Sequence, residues 1–530
     1  MDTIEKCESP AQASGGVSTT AHVGLGSHHV SRALYDAQPL TAGCMEGTRV
    51  QLLETTQNLL ISLGGAHIVW IAGMAGTGKT SIALTLGRRL VEVHTVIPGG
   101  TFFCSRSAGS IDRTDARRII PTLTSLLARQ VPRYAQALAA ELKKDPDLGS
   151  KVAGLQVQGL LTKPLESVGS LDKQIVFVID ALDECSDQQQ LAELINALAD
   201  FSPTQPVKFL LTSRPEMHIR DTSIADTSLS SIVQLHMVEE TLVTADIRLY
   251  IQRTLEAASR TAIWYTEDDL DELAAVSGSL FIYASTALAY ILKRRDVPGR
   301  SERLKTIRMR TSTSTITTSP LDKIYSLILT QASDPDVVEP TEMDETRRIV
   351  SIILSTRSPL TVKTLAELLG LSPAHLRGAL DELHAVIFIP VQDDTGELRT
   401  LHASFGDFIF TRAPEHIRIA KGFGHDELAR ACLYRMAADD LCFNVSRSRS
   451  SYEANSGCKP DWIAHSLIYA CLHWAHHIGL ASSISSFDDL IDSVLRVKLL
   501  FWLELLSVMG EVSCASGLLR MADSVVRQYR

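Results

Sequence analysis

The sequence lacks the features that mark secreted or membrane-spanning proteins. Its nine cysteines are scattered from Cys7 to Cys514 without close paired spacing, and their number is odd. This usage is typical of reduced thiols rather than of a disulfide framework. The opening residues, MDTIEKCESPAQ, are polar and acidic, unlike a secretory signal. The longest apolar run, residues 280–292, is too short to cross a bilayer. We therefore expect a soluble, cytoplasmic protein without a membrane partner.

A surplus of positive charge is also missing. The net charge is -10 at pH 7 and the pI is about 5.9. Without a basic surplus, counterion displacement cannot drive strong binding to nucleic acid, so we do not expect a nucleic-acid partner. No internal repeat of 20–50 residues is visible. The 530 residues, 45% hydrophobic and 21% charged, suffice for three or four globular domains.

One octamer carries a specific chemical signal. The run GMAGTGKT has the pattern G-x-x-x-x-G-K-[ST] of a phosphate-binding loop. The apolar stretch 68–71 before it predicts a buried strand, and 81–90 after it predicts a helix, whose positive dipole end would face the anion. The glycines let backbone N–H groups surround phosphate oxygens, the lysine adds charge, and the hydroxyl of Thr80 is a Mg²⁺ ligand. The predicted nucleotide contacts are Gly73, Met74, Ala75, Gly76, Thr77, Gly78, Lys79, Thr80 and Ser81.

Acidic residues follow a second buried strand, about 100 residues later. The apolar run 173–179 ends in Asp180, where such sites hold Mg²⁺. Asp183 and Glu184 follow in the segment IDALDEC, and either carboxylate could orient or activate the attacking water. The alternative is that both only cap the next helix.

An arginine follows a third strand. The run 207–212 leads into Ser213 and Arg214, and Pro215 favours an extended conformation at Arg214. Ligands of open α/β sheets bind at the carboxyl edge, so Arg214 could contact the γ-phosphate; a surface ion pair is the alternative. We thus count Lys79, Asp183, Glu184 and Arg214 as candidate catalytic residues.

The element pattern predicts an α/β phosphate-loop domain with a parallel sheet, followed by helical domains. After residue 240 the strand signal fades. Helices at 345–355, 362–369 and 373–384, then strand-like runs at 386–391 and 397–402, predict a winged helix. The predicted divisions are a disordered arm (1–40), a nucleotide-binding domain (41–222), a helical domain (223–335), a winged helix (336–412) and a C-terminal helical domain (413–530).

The motifs GMAGTGKT, IVFVIDALDEC and KFLLTSRPE, in that order, resemble the NACHT class of signal-transducing NTPases (STAND proteins), especially the fungal members. CMEGTR, SGSLFIYASTA, PLTVKTLAELLGL and LRTLHASFGDFIF resemble further elements of that class. The resemblance extends over roughly residues 40–525.

The resemblance implies a switch between ADP and ATP, with Mg²⁺, rather than a high-turnover enzyme. In such proteins the winged helix closes over ADP and its histidine touches the phosphates; His402 occupies the matching position, with a core histidine as the alternative. Exchange to ATP would permit homo-oligomer assembly with an unknown effector or sensor protein. The C-terminal sensor repeats usual in the class are not seen before Arg530. We therefore expect either a fragment or a short member.

Two other functions remain open. A nucleotide-bound scaffold that never hydrolyses would show the same motifs. The helices 362–369 and 373–384 form a helix-turn-helix pattern, which would suit a DNA-binding regulator. However, the segment PAHLRGALDELH contains two acidic residues besides His375 and Arg377, so this helix is better suited to packing than to contact with DNA phosphates.

Overall fold

The computed structural model describes residues 25, 28–34, 43–106, 111–201, 206–225, 230–259, 263–294, 296–312, 319–332, 339–448, 462–482 and 487–529. The chain divides into two compact units. The first comprises residues 1–74, 79–105 and 112–237, and the second comprises 75–78, 106–111 and 238–530.

The first unit is built on a five-stranded parallel sheet. Its strands are β1 (Ile68–Ala72), β2 (Val96–Phe103), β3 (Gln174–Asp180), β4 (Val207–Ser213) and β5 (Ser230–Gln234), in the spatial order β2-β3-β4-β1-β5. The helices are α1 (Val50–Ile61), α2 (Lys79–Glu92), α3 (Ile111–Thr114), α4 (Ile119–Gln130), α5 (Pro132–Lys144), α6 (Ala153–Gln156), α7 (Lys163–Ser167), α8 (Gln188–Ala199) and α9 (Met217–Arg220). The predicted parallel sheet with flanking helices is confirmed.

The near-continuous apolar runs form strands buried on both faces. Successive side chains of a strand point to opposite faces. In β3, Ile175, Phe177 and Ile179 enter one core, whereas Val176 and Val178 enter the other. The two cores therefore hold the central strands between layers of helices, as an all-parallel sheet requires.

Two predictions about the first unit need correction. The predicted nucleotide-binding domain ends at 222, but β5 pairs with β1, so the sheet extends to 234. The arm predicted to be disordered over 1–40 contains a short helical turn, Ser31–Ala33, and Val30 and Ala33 are buried in a core of this unit. Residues 1–24 lie outside the described part of the chain.

The second unit is mostly helical. Its helices are α10 (Glu240–Ala258), α11 (Glu267–Ser277), α12 (Phe281–Leu292), α13 (Val297–Ser312), α14 (Pro320–Ala332), α15 (Pro340–Ser355), α16 (Val362–Leu369), α17 (Pro373–Leu380), α18 (Ala403–Asp407), α19 (Phe423–Ala437), α20 (His465–Leu480), α21 (Asp488–Val508) and α22 (Ala515–Tyr529). One apolar core extends from Val243 to Ala522, through all three predicted helical divisions.

A small hairpin follows α17. Strands β6 (Ile387–Phe388) and β7 (Arg399–Thr400) are antiparallel, and Leu360 bridges to Leu398. These strands are shorter than the predicted runs for two reasons. Arg377 donates hydrogen bonds to the carbonyls of Pro390 and Val391, and Pro390 has no N–H to donate to a neighbouring strand. Three helices followed by a hairpin is the expected element order, and the winged-helix assignment stays a prediction.

Candidate functional site

The sheet order brings the ends of three strands together in the first unit. β4 lies between β3 and β1, with Leu211 opposite Ile179 and Ser213 opposite Ala72. The N–H of Gly73 continues the ladder to the carbonyl of Ser213 at 3.1 Å. The carboxyl ends of parallel strands share one edge of the sheet, which is where ligands of open α/β sheets bind. The three motifs therefore lie at the same edge of the sheet.

The phosphate-loop motif forms a turn that ends where α2 begins, at Lys79. Gly76 and Gly78 have φ angles of 81° and 91°, a conformation that favours glycine. The amine of Lys79 donates to the carbonyls of Gly73 at 2.7 Å and Met74 at 3.0 Å. Burial lowers the pKa of Lys79, and the charges of Asp183 and Asp180 oppose this shift. Lysine, loop and acids thus form one electrostatic cluster.

Asp180 lies at the end of β3 and is almost completely buried. Its Oδ1 accepts a hydrogen bond from the Thr212 hydroxyl at 2.5 Å, and the side chain is also hydrogen-bonded to Thr80. Burial raises the pKa of Asp180, whereas the two hydroxyl hydrogen bonds and the charge of Lys79 lower it. A carboxylate beside a hydroxyl is an oxygen donor set that suits Mg²⁺, so these residues fit the expected ion.

The residue after Asp180 is held in an uncommon conformation. Ala181 has a φ of 56° and a ψ of 48°, in the left-handed region that residues other than glycine, asparagine and aspartate rarely adopt. Its N–H donates to the Thr212 hydroxyl at 2.9 Å. Thr212 therefore bonds both to the carboxylate and to the strained backbone that follows it. Sequence reasoning missed this threonine, whose only signal is a hydroxyl near the end of the neighbouring strand.

The two downstream carboxylates differ in their surroundings. Asp183 is buried, accepts the backbone N–H of Arg214 at 2.9 Å and lies 3.0 Å from its Nε. Glu184 is half-buried at the end of a short 3-10 turn, Leu182–Glu184. The α8 cap is Asp187, which accepts from the N–H groups of Gln189 and Gln190, so the capping alternative does not describe Asp183 or Glu184.

Two buried cysteines border the same turn. The sulfurs of Cys104, after β2, and Cys185, after Glu184, lie 3.8 Å apart. The hydrogen bond with Cys185 and burial raise the pKa of Cys104. Buried thiols of this kind are chemically inert. All cysteines in the described part of the chain are free, as predicted: Cys44, Cys104, Cys185, Cys432, Cys442, Cys471 and Cys514.

His402 lies in the second unit, at the N-cap of α18. Its Nδ1 accepts from the backbone N–H of Ser404 at 3.1 Å and lies 2.6 Å from the Ser404 hydroxyl. The histidine thus caps a helix. This arrangement is also compatible with the alternative role of His402, a core histidine whose hydrogen bonds are satisfied. Its predicted contact with a nucleotide stays a prediction.

Comparisons with known proteins bear on the first unit. Residues 47–214 match the family model described as nephrocystin 3, N-terminal, which covers less than half of the chain. No curated protein matches the chain.

Two solved structures show remote similarity. Cdc6p from Pyrobaculum aerophilum is 12% identical, with 76% of this chain and 98% of that chain covered and a TM-score of 0.31. The structure titled Drosophila ORC bound to GC-rich DNA and Cdc6 is 12% identical, with 96% of this chain and 78% of that chain covered and a TM-score of 0.23. TM-scores this low carry no argument about the fold, which is assigned from the parallel sheet and the phosphate-binding loop.

The five-stranded sheet and its phosphate-binding loop form a P-loop NTPase domain. The motif and the parallel sheet carry this assignment, and the matched family model spans the motif and four of the five strands. In the described residues, no helix is both long and apolar enough to cross a membrane.

Proposed function

We propose that the protein is an ATP/ADP-binding signalling switch of the NACHT type, in which nucleotide exchange and slow hydrolysis control conformation and assembly. One observation carries the proposal: Lys79, Asp180, Asp183 and Arg214 converge at the ends of three adjacent strands. The preference for ATP, the homo-oligomer and the effector or sensor partner are taken from the family resemblance, and the cytoplasmic location is taken from the cysteine usage.

Each side chain has a proposed role. Lys79 exchanges the carbonyls of Gly73 and Met74 for outer phosphate oxygens, and Thr80 and Asp180 hold Mg²⁺, which would neutralise phosphate charge. Glu184 is the better candidate for orienting water, because the buried Asp183 also accepts the backbone N–H of Arg214, a bond that persists when the guanidinium moves. Arg214 senses the γ-phosphate by leaving Asp183 for the nucleotide. In the ADP state, His402 donates to a phosphate oxygen.

Loss of the Lys79 amine tests the nucleotide site. We expect Lys79→Ala to weaken ADP and ATP affinity by about 10- to 100-fold, the range for hydrogen bonds to charged groups. Calorimetry on the full chain measures this, with Lys143→Ala, an exposed lysine of α5 in the same unit, as the matched control. Unchanged affinity in the Lys79 variant would refute the proposal.

Assembly is tested separately from binding. We expect sedimentation to show a larger species with a non-hydrolysable ATP analogue than with ADP. A near-complete switch requires the two nucleotides to favour different conformations by about 5 kcal/mol. If the protein has the same mass with both nucleotides, a nucleotide-bound scaffold is the better proposal for its function. Single-turnover phosphate release, compared with Glu184→Gln, shows whether hydrolysis occurs.

The DNA-binding alternative has less support. Arg377, the basic residue of α17, bonds through Nε to Asp393 at 2.7 Å and through Nη2 to the carbonyls of Pro390 and Val391. His375 lies 3.7 Å from Glu345. A helix whose arginine binds its own hairpin is poorly equipped to read a DNA groove.

A further inference from the structure

A directional hydrogen-bond chain leads to His402 inside the second unit. The hydroxyl of Tyr325, on α14, lies 3.0 Å from the Ser404 hydroxyl, which lies 2.6 Å from Nδ1 of His402. The backbone N–H of Ser404 also points at Nδ1, at 3.1 Å. Tyr325 and Ser404 are buried, so water does not compete for these groups.

The chemistry of the groups sets the direction of this chain. A backbone N–H can only donate, so Nδ1 must accept, and the neutral ring carries its proton on Nε2. The Ser404 hydroxyl therefore donates a hydrogen bond to Nδ1 and accepts one from the Tyr325 hydroxyl. Burial is the main cause that raises the pKa of Tyr325 to about 12, so the phenol keeps its proton at physiological pH.

The donor end of the chain is held firmly. The Tyr325 ring packs against Phe405 and Phe408, with ring centroids 5.4 and 5.5 Å away. Three residues before Tyr325, Asp322 forms a two-pronged ion pair with Arg412, at the end of the π-helical turn Phe408–Arg412. The segment from His402 to Arg412 is thus fastened to α14 at both ends.

We propose that Tyr325 and Ser404 are positioning residues that hold His402 in the Nε2–H tautomer, so that the ring presents a donor to a nucleotide phosphate oxygen. The inference rests on the proposed function for the contact between His402 and the nucleotide. The opposite tautomer would present a lone pair to the phosphate, which repels it. Tyr325 would thereby tune the stability of the ADP state through the histidine.

A double-mutant cycle in the full chain tests this coupling. We expect Tyr325→Phe and Ser404→Ala each to weaken ADP affinity by about two- to tenfold, the range for one neutral hydrogen bond. In the His402→Ala background the same changes should have no effect, because the tyrosine acts only through the histidine. Tyr290→Phe is the matched control: its buried hydroxyl bonds to Gln331, on the same helix α14.

A second readout does not depend on nucleotide. Nitrogen-15 NMR of histidine-labelled protein should assign the Nε2–H tautomer to His402, with the signal altered in Ser404→Ala. An Nδ1–H tautomer would overturn the positioning proposal. So would equal losses of ADP affinity on Tyr325→Phe in both backgrounds, or no loss in either while His402→Ala weakens ADP. If His402→Ala leaves ADP affinity unchanged, the proposed nucleotide contact itself fails, and the positioning role falls with it.

Discussion

Asp183 holds Arg214 at two points. Its Oδ1 accepts the arginine's backbone N–H at 2.9 Å, and its Oδ2 lies 3.0 Å from the arginine's Nε. The carboxylate is 3% exposed, whereas the guanidinium side chain is 26% exposed. Asp183, the buried partner, therefore fixes the path of the chain after β4. The more accessible guanidinium of Arg214 can leave this carboxylate and bind another anion.

The first prediction separates the two carboxylates of the turn. Asp183→Asn removes the charge that faces Arg214, so we expect the free energy of unfolding to fall by about 1–3 kcal/mol. Glu184→Gln should change stability by less than about 0.5 kcal/mol, as a substitution away from the core does, while it lowers single-turnover phosphate release. Denaturant unfolding and rapid-quench assays measure the two effects. Equal stability losses in both variants would contradict the assignment of a structural role to Asp183 alone.

The second prediction concerns Thr212. Thr212→Val keeps the side chain's shape but leaves the buried Asp180 carboxylate and the Ala181 N–H each without this partner. We expect a loss of about 1–3 kcal/mol in unfolding free energy, with weaker Mg²⁺-dependent nucleotide binding. Thr212→Ser retains the hydroxyl and is the control. Equal behaviour of valine and serine would show that the hydroxyl does not support the site.

The third prediction uses the backbone of Ala181. The left-handed conformation costs an L-residue about 1–2 kcal/mol, which glycine avoids at the expense of greater freedom in the unfolded chain. Ala181→Gly should therefore leave stability unchanged or raise it by up to about 1 kcal/mol. Ala192→Gly, inside α8, should cost about 1 kcal/mol. Thermal or denaturant unfolding compares them. Equal losses at both positions would argue against strain after Asp180.

The sequence predicted those parts of the site whose chemistry requires particular residues in a row. The glycines, lysine and hydroxyl of the loop are adjacent in the chain, and β3 and β4 are apolar because both faces are buried. Thr212 could not be predicted, because its role depends on the parallel pairing that sets β4 beside β3. The pairing of Asp183 with Arg214 could not be predicted either, because the two residues are 31 positions apart in the sequence.

Two elements that the sequence analysis did not predict, strand β5 and helix α13, have a common physical origin. Strand β5 is short and only partly buried, and its apolar pattern gains meaning only through pairing with β1. Helix α13 is mostly polar, and its contacts include ion pairs from Arg308 to Asp269 and Glu272 on α11. Such elements are stabilised by distant partners rather than by their own periodicity.

The second unit contains a histidine cluster, centred on the buried His477, that predicts pH-dependent stability. Nδ1 of His425, on α19, lies 2.9 Å from Nδ1 of His477, on α20, and Nε2 of His477 lies 2.9 Å from the Tyr469 hydroxyl. His473 and His476 lie on the same helix, with Arg357 and Asp426 as the charged neighbours. The bond between the two Nδ1 atoms requires one ring to accept, so His425 and His477 cannot both be protonated while this bond persists.

The fourth prediction follows from the direction of these shifts. Burial lowers the pKa of His425 and His476 to about 4 and that of His473 to about 3, and it lowers the pKa of His477 as well. An unfolded histidine binds its proton near pH 6.5, so below that pH the unfolded chain holds more protons than the folded one. Stability is therefore fully present above about pH 7 and declines as the pH falls from 6.5 toward 4, by about 1.4 kcal/mol per pH unit for each proton taken up.

Denaturant unfolding between pH 7.5 and 4.5, followed by the fluorescence of the buried Trp474 and Trp502, measures this decline in the second unit. His425→Gln removes one titrating ring and should make the decline shallower by up to one proton's contribution. His416→Ala removes an exposed histidine from the same unit and should leave the slope unchanged. A stability that stays constant from pH 7.5 to 4.5 would contradict the prediction, because it would show that the cluster accepts protons without the cost that burial imposes.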